Sequence, residues 1–142
     1  MFIRQRELAK AARVYERAAE IATDNPKIQT KLGVIYINQG KFEQAIVTFQ
    51  AAIAMDSTAA EAYNNLARLY AGLGKEMQQA IDLAQRAVVL APTAKHYDTL
   101  AYTYYRNAQY PKALEAINAA IAIAPNVEAY NELRSKIQEE KK

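Results

Sequence analysis

Apolar residues recur along this chain at helical spacing, i, i+3, i+4 and i+7, almost from end to end. The pattern predicts helices over 3–22, 27–38, 42–54, 60–72, 76–89, 94–106, 110–122 and 126–140. The polar breaks between them are short. Asp24-Asn25-Pro26, Asp56-Ser57-Thr58, Ala91-Pro92-Thr93 and Ala124-Pro125-Asn126 use proline and small polar residues to stop one helix and open the next. Gln39-Gly40 and Leu73-Gly74 end helices on a residue that accepts a left-handed conformation. Asn107-Ala108-Gln109 makes the third such turn without glycine, and Asn107 is expected to take the strained position. Pro111 falls where a first helical turn tolerates it.

The same pattern repeats itself. Leu32, Leu66 and Leu100 are each 34 residues apart, as are Tyr36, Tyr70 and Tyr104, and Leu133 follows 33 after Leu100. Ala18, Ala52, Ala87 and Ala120 form a second series that slips by one residue and recovers. A fixed period of this size marks stacked helix pairs, because no pair buries its apolar face alone. Gly33, Ala67 and Ala101 fall where two helices must nearly touch, with Ala45, Ala80 and Ala113 as the opposing small surface. Tyrosine and phenylalanine wedge between pairs. Of the ten tyrosines, Tyr15, Tyr36, Tyr63, Tyr70, Tyr97, Tyr104, Tyr110 and Tyr130 take core slots, as do Met55 and Met77. One extra residue near Lys75-Glu76, balanced by a shortening after Pro92, belongs in a turn.

These residues resemble the tetratricopeptide repeat family. Leu32-Gly33-x-x-Tyr36 with Ala45, Phe49 and Ala52 matches its signature. So do Tyr63-x-x-Leu66-Ala67-x-x-Tyr70 with Ala80 and Ala87, and Tyr97-x-x-Leu100-Ala101-x-x-Tyr104 with Ala113 and Ala120. The resemblance implies an all-α fold, a right-handed α-solenoid of about eight helices in one domain. Its full repeats are 26–59, 60–93 and 94–125, with a partial repeat at 1–25 and a capping helix at 126–142. Arg134 replaces the small residue in the last unit, which fits a cap. At the other end Phe2 lies 34 before Tyr36 and Leu8 lies 34 before Phe42, yet Arg6 occupies the Gly40 slot. One continuous first helix is expected, with an uncovered apolar flank around Leu8 and Ala12.

Composition narrows the function. With 18 Lys and Arg against 15 Asp and Glu, the net charge of +3 is mild, unlike a nucleic-acid footprint. The absence of cysteine removes disulfides and thiolate metal sites. No apolar run approaches the roughly 20 residues that span a bilayer, and Met1-Phe2-Ile3-Arg4 opens no signal core. A soluble chain is expected, with the cytoplasm favoured and export left open. His96, the one histidine, has no second ligand or nucleophile beside it, and Asp98, Glu115 and Glu139-Glu140 are read as solvated helix charges. Four isolated glycines make no phosphate loop. No enzyme, cofactor, metal, membrane or nucleic-acid role is expected.

What remains is a surface for a protein or peptide partner. In the family, the first helix of each pair lines a concave groove. Carried over, the lining is Lys27, Thr30, Lys31, Val34 and Asn38, then Glu61, Asn64, Asn65, Arg68 and Gly72, then Lys95, Asp98, Thr99, Tyr102, Tyr105 and Arg106. Asparagine bonds both groups of a peptide backbone, and Lys31, Arg68 and Arg106 could receive carboxylates. Tyr102 and Tyr105 miss the core slots and stand beside Arg106, residue types that anchor interfaces. Some family members grip a carboxylate terminus with a Lys/Asn/Arg clamp. Asn65 and Lys95 occupy two of its places, but Thr30, Val34 and Thr99 fill the rest, so the clamp is incomplete. The expected function is a groove that takes a partner segment of some acidic character. A self-associating scaffold using the first helix is the alternative, and a face kept polar for solubility is the plainest reading.

Overall fold

The computed structural model describes residues 2–141, which form eight α-helices and no strand. They are α1 (Phe2–Ile21), α2 (Pro26–Asn38), α3 (Phe42–Met55), α4 (Ala60–Leu73), α5 (Met77–Leu90), α6 (Ala94–Arg106), α7 (Tyr110–Ile123) and α8 (Glu128–Lys141). Their ends fall within two residues of those that the periodicity predicts. Lys142, part of the expected solvated tail, and Met1 lie outside the described residues. None of these helices is long and apolar enough to cross a membrane.

Local chemistry sets the ends. Asn25 accepts from the backbone N–H groups of Lys27 and Ile28, with Pro26 in the first turn, so α2 starts there. Thr93 accepts from the N–H of His96 and opens α6. The helix-to-helix turns after α2, α4 and α6 share one design. The N–H of Lys41, Lys75 and Gln109 reaches back to the carbonyl of Tyr36, Tyr70 and Tyr104 at 2.8, 3.0 and 2.9 Å. Gly40, Gly74 and Ala108 sit between in the left-handed region, at φ 76°, 66° and 56°. The strained residue of the third turn is therefore Ala108. Asn107, the expected one, has φ −96° because it is the cap residue one place earlier. The extra residue is Glu76, a second left-handed position at φ 52°, which delays α5 to Met77.

The chain divides into two compact units, Met1–Asn65 and Leu66–Lys142, with the boundary inside α4. In the first unit α1 packs on α2 and α2 on α3. Gly33 is buried under the Phe49 ring, so close that a Cβ there would lie 2.5 Å from it. Tyr36 donates to Glu16 Oε1 at 2.8 Å, tying α2 to α1. Burial and the Glu16 charge push the Tyr36 phenol up to about 12. The first helix is continuous, as expected, but its exposed apolar residues are not those expected. Ala12 is buried and Leu8 half-buried, since both turn toward the packed face. Phe2, Ile3, Val14 and Ile21 face solvent instead, Phe2 at 86% exposure.

The second unit holds one apolar cluster. Ala67 from α4, Ile81 and Ala84 from α5, Leu100, Ala101 and Tyr104 from α6, Ala113, Ala116, Ile117 and Ala120 from α7 and Ile137 from α8 are buried together. The small residues at the crossings are those that the repeat requires. Gln85 donates to the Tyr104 hydroxyl at 2.7 Å, the counterpart of Glu16 and Tyr36 in the first unit. Met55, expected in the core, is exposed at the last position of α3.

Candidate functional site

The polar groups that converge in the second unit come from α4 and α6. Arg68 on α4 donates from Nη1 to Asp98 Oδ2 at 3.2 Å and faces Thr99 Oγ1 at 3.4 Å. Its guanidinium carbon lies 4.9 Å from the centre of the Tyr102 ring, a cation–π geometry. One turn along α6 from Tyr102, Arg106 donates from Nε to the Ala71 carbonyl at 3.0 Å. That carbonyl belongs to the last turn of α4, where a cation complements the helix dipole. Tyr102 spans the interval between them: its hydroxyl would lie 3.6 Å from a Cβ placed on Gly72. Asp98, Arg68, Tyr102, Gly72 and Arg106 thus form one continuous strip.

The electrostatics are uneven. The Arg68 side chain keeps 49% of its surface in solvent and Asp98 only 17%. Burial pushes the Asp98 carboxyl above its usual range, and the charge and hydrogen bond of Arg68 pull it back only in part. Asp98 is therefore no solvated helix charge. It is a desolvated anion held against a half-exposed cation.

The expected site residues part company here. Arg68, Asp98, Tyr102 and Arg106 are brought together. Tyr105 is not with them: it is half-buried, stacks obliquely on Tyr110 with ring centres 6.1 Å apart, and packs on the apolar cluster. Position 105 is one residue from Tyr104, a core slot, so its ring turns toward α7. Asn64 is 1% exposed and offers no amide to a partner. Asn65, on α4 in the first unit, is half-buried. Lys31 and Asn38, on α2 in that unit, are exposed, though Asn38 donates to its own helix at the Val34 carbonyl.

Sequence reasoning missed that Asp98 pairs with Arg68 and that Arg106 serves a carbonyl. The first has a trace in the chain. Residues 68 and 98 are separated by one repeat less one helical turn, the spacing at which adjacent first helices bring side chains together. His96 is buried, with Nδ1 2.8 Å from the Ala91 carbonyl, so that nitrogen carries the hydrogen. Among the described residues no group of three His, Asp or Glu side chains is placed to hold a metal ion.

Comparison with known proteins agrees with this architecture. Two sequence models of the tetratricopeptide repeat match the chain, one over residues 30–95 and one over 2–52. A crystal structure of MamA superimposes with a TM-score of 0.81 at 30% identity, covering 94% of this chain and 78% of that one. The first tetratricopeptide domain of human RPAP3 shares the fold, with a TM-score of 0.77 at 20% identity over 82% of this chain and 91% of that one. In human sequences, the protein O-mannosyl-transferase TMTC1 is 28% identical over 121 residues. That match spans 84% of this chain but 13% of TMTC1.

Proposed function

Because the chain belongs to the tetratricopeptide repeat family, with the all-α fold of the α-solenoid class, we propose that it is a non-catalytic protein-interaction module. The face shared by α4 and α6 takes a segment of a partner protein, and that segment carries acidic side chains. The carrying observation is the pair of arginines, each tied to the protein through part of its guanidinium and otherwise exposed. Such groups are pre-oriented, so binding a carboxylate costs them little further side-chain entropy. The transferase in the human relative's name is not carried over, since this chain matches only a small part of that protein. An array of peptides, each presented with its acidic residues and with the corresponding amides, tests the proposal. Retention of acidic members alone is expected. It should be lost when Arg68 and Arg106 are both changed to glutamine, with the circular dichroism spectrum unchanged. Equal retention by that variant would remove the face from consideration.

A second reading rests on α1. Its exposed Phe2, Ile3, Val14 and Ile21 are the apolar side chains that a second copy of the chain would cover. Sedimentation across a wide concentration range decides it, a constant monomer mass being the adverse result.

A further inference from the structure

We propose that Asp98 is an internal stand-in for the partner: it occupies Arg68 in the free protein and is displaced when a partner carboxylate arrives. The inference rests on the reading of the α4–α6 face as an acidic-segment site and names its receptor. Arg68 sits at the centre of the strip. One nitrogen is committed to Asp98 and Thr99, and its guanidinium carbon lies 4.9 Å from the centre of the Tyr102 ring. That cation–π contact does not involve Asp98, so Arg68 keeps it when Asp98 is displaced. A fork-shaped donor, restrained on one side and open on the other, suits a carboxylate that approaches from solvent.

Asp98 is poorly placed for a purely stabilising ion pair. Its carboxylate is mostly desolvated, while its partner remains half in water. Such a pair gains little from attraction and loses hydration. Burial raises the proton affinity of Asp98, and the Arg68 charge and hydrogen bond offset that only in part. An asparagine here would keep a hydrogen bond to Arg68 without the buried charge. The carboxylate instead selects against weak anions, which must outcompete it. Arg106 adds a second donor one turn further along α6, beside Gly74, where a Cβ would lie 3.6 Å from its Nη2.

The test uses an acetylated, amidated Glu-Ala-Glu-Ala-Glu peptide titrated into the full chain, read by nuclear magnetic resonance at the Asp98 carboxyl carbon and the Arg68 Nε–H. Both signals are expected to move together as the peptide binds. Asp98→Asn should bind about two- to five-fold tighter, the scale of a part-exposed ion pair. Arg68→Gln should bind at least about tenfold weaker. Glu115→Gln on α7 removes the same charge from an exposed position and should leave the affinity unchanged. If Asp98→Asn binds equally or less tightly, or if Glu115→Gln tightens binding as much, Asp98 is no competitor and the proposal falls, while shifts confined to α4 and α6 keep the wider reading. If the peptide moves no signal on α4 or α6, both fall.

Discussion

Ala108 holds φ 56°, a conformation that brings the Cβ of an L-residue against its own backbone. Glycine fills the equivalent place in the two earlier turns. Ala108→Gly should therefore stabilise the chain by about 0.5–1 kcal/mol after the entropy of glycine is counted, read as a higher urea midpoint. Gly33 gives the opposite case. Alanine would improve helix propensity by about 1 kcal/mol, but the Phe49 ring in its way is fully buried and has nowhere to go. Gly33→Ala should lose about 1 kcal/mol or more net. Three of the single-residue expectations that failed share one cause. Asn64, Tyr105 and Asp98 are each assigned from residue type and stripe. Which side of a stripe is covered depends on the neighbouring helix, and a one-residue difference in angle turned Tyr105 into the core while a charge 30 residues away claimed Asp98.

Between helices the repeat was far easier to read, because small residues at crossings leave a periodic trace. Ala67, Ala101, Ala45, Ala80 and Ala113 are all fully buried where the spacing predicts. Ala101→Leu should overpack the α6 crossing and cost about 1–3 kcal/mol, and an unmoved denaturation midpoint would contradict that register. The α1–α2 contact is sensitive to alkali. An acid whose folded pKa is raised favours the folded state while protonated. The Tyr36 contribution is therefore complete below its ordinary 10.0 and is lost as pH climbs toward about 12. Glu16→Gln should lower the Tyr36 titration and copy the Gln85–Tyr104 pair of the second unit. Ultraviolet titration of the tyrosinate band, against a Tyr36→Phe control, measures both. No such hydrogen bond could be read from the chain, since Glu16 is one of several acidic residues on α1 and only packing selects it.

Across the whole chain, stability should be graded. Repeat arrays open locally, and the residues with least covered apolar surface open first. Amide exchange should be slowest in α6 and α7, which share the buried cluster of the second unit, and fastest in α1, where Ala12 is the only buried side chain. Uniform protection along α1 would indicate that another surface covers it, and the protection would then depend on protein concentration. The second left-handed residue, Glu76, has a use of its own. The turn before it closes its bonds through Gly74 and Lys75, and the first bond of α5 begins at the Glu76 carbonyl. No backbone hydrogen bond among these crosses the Lys75–Glu76 peptide, so a grafted segment there would leave both helices closed. Because Gly74 lies against Arg106, an acidic peptide tethered at that point would meet the guanidinium at millimolar effective concentration. The turn is thus a port through which a weak ligand becomes an intramolecular one, and a chain that reports on its own occupancy could be built from it.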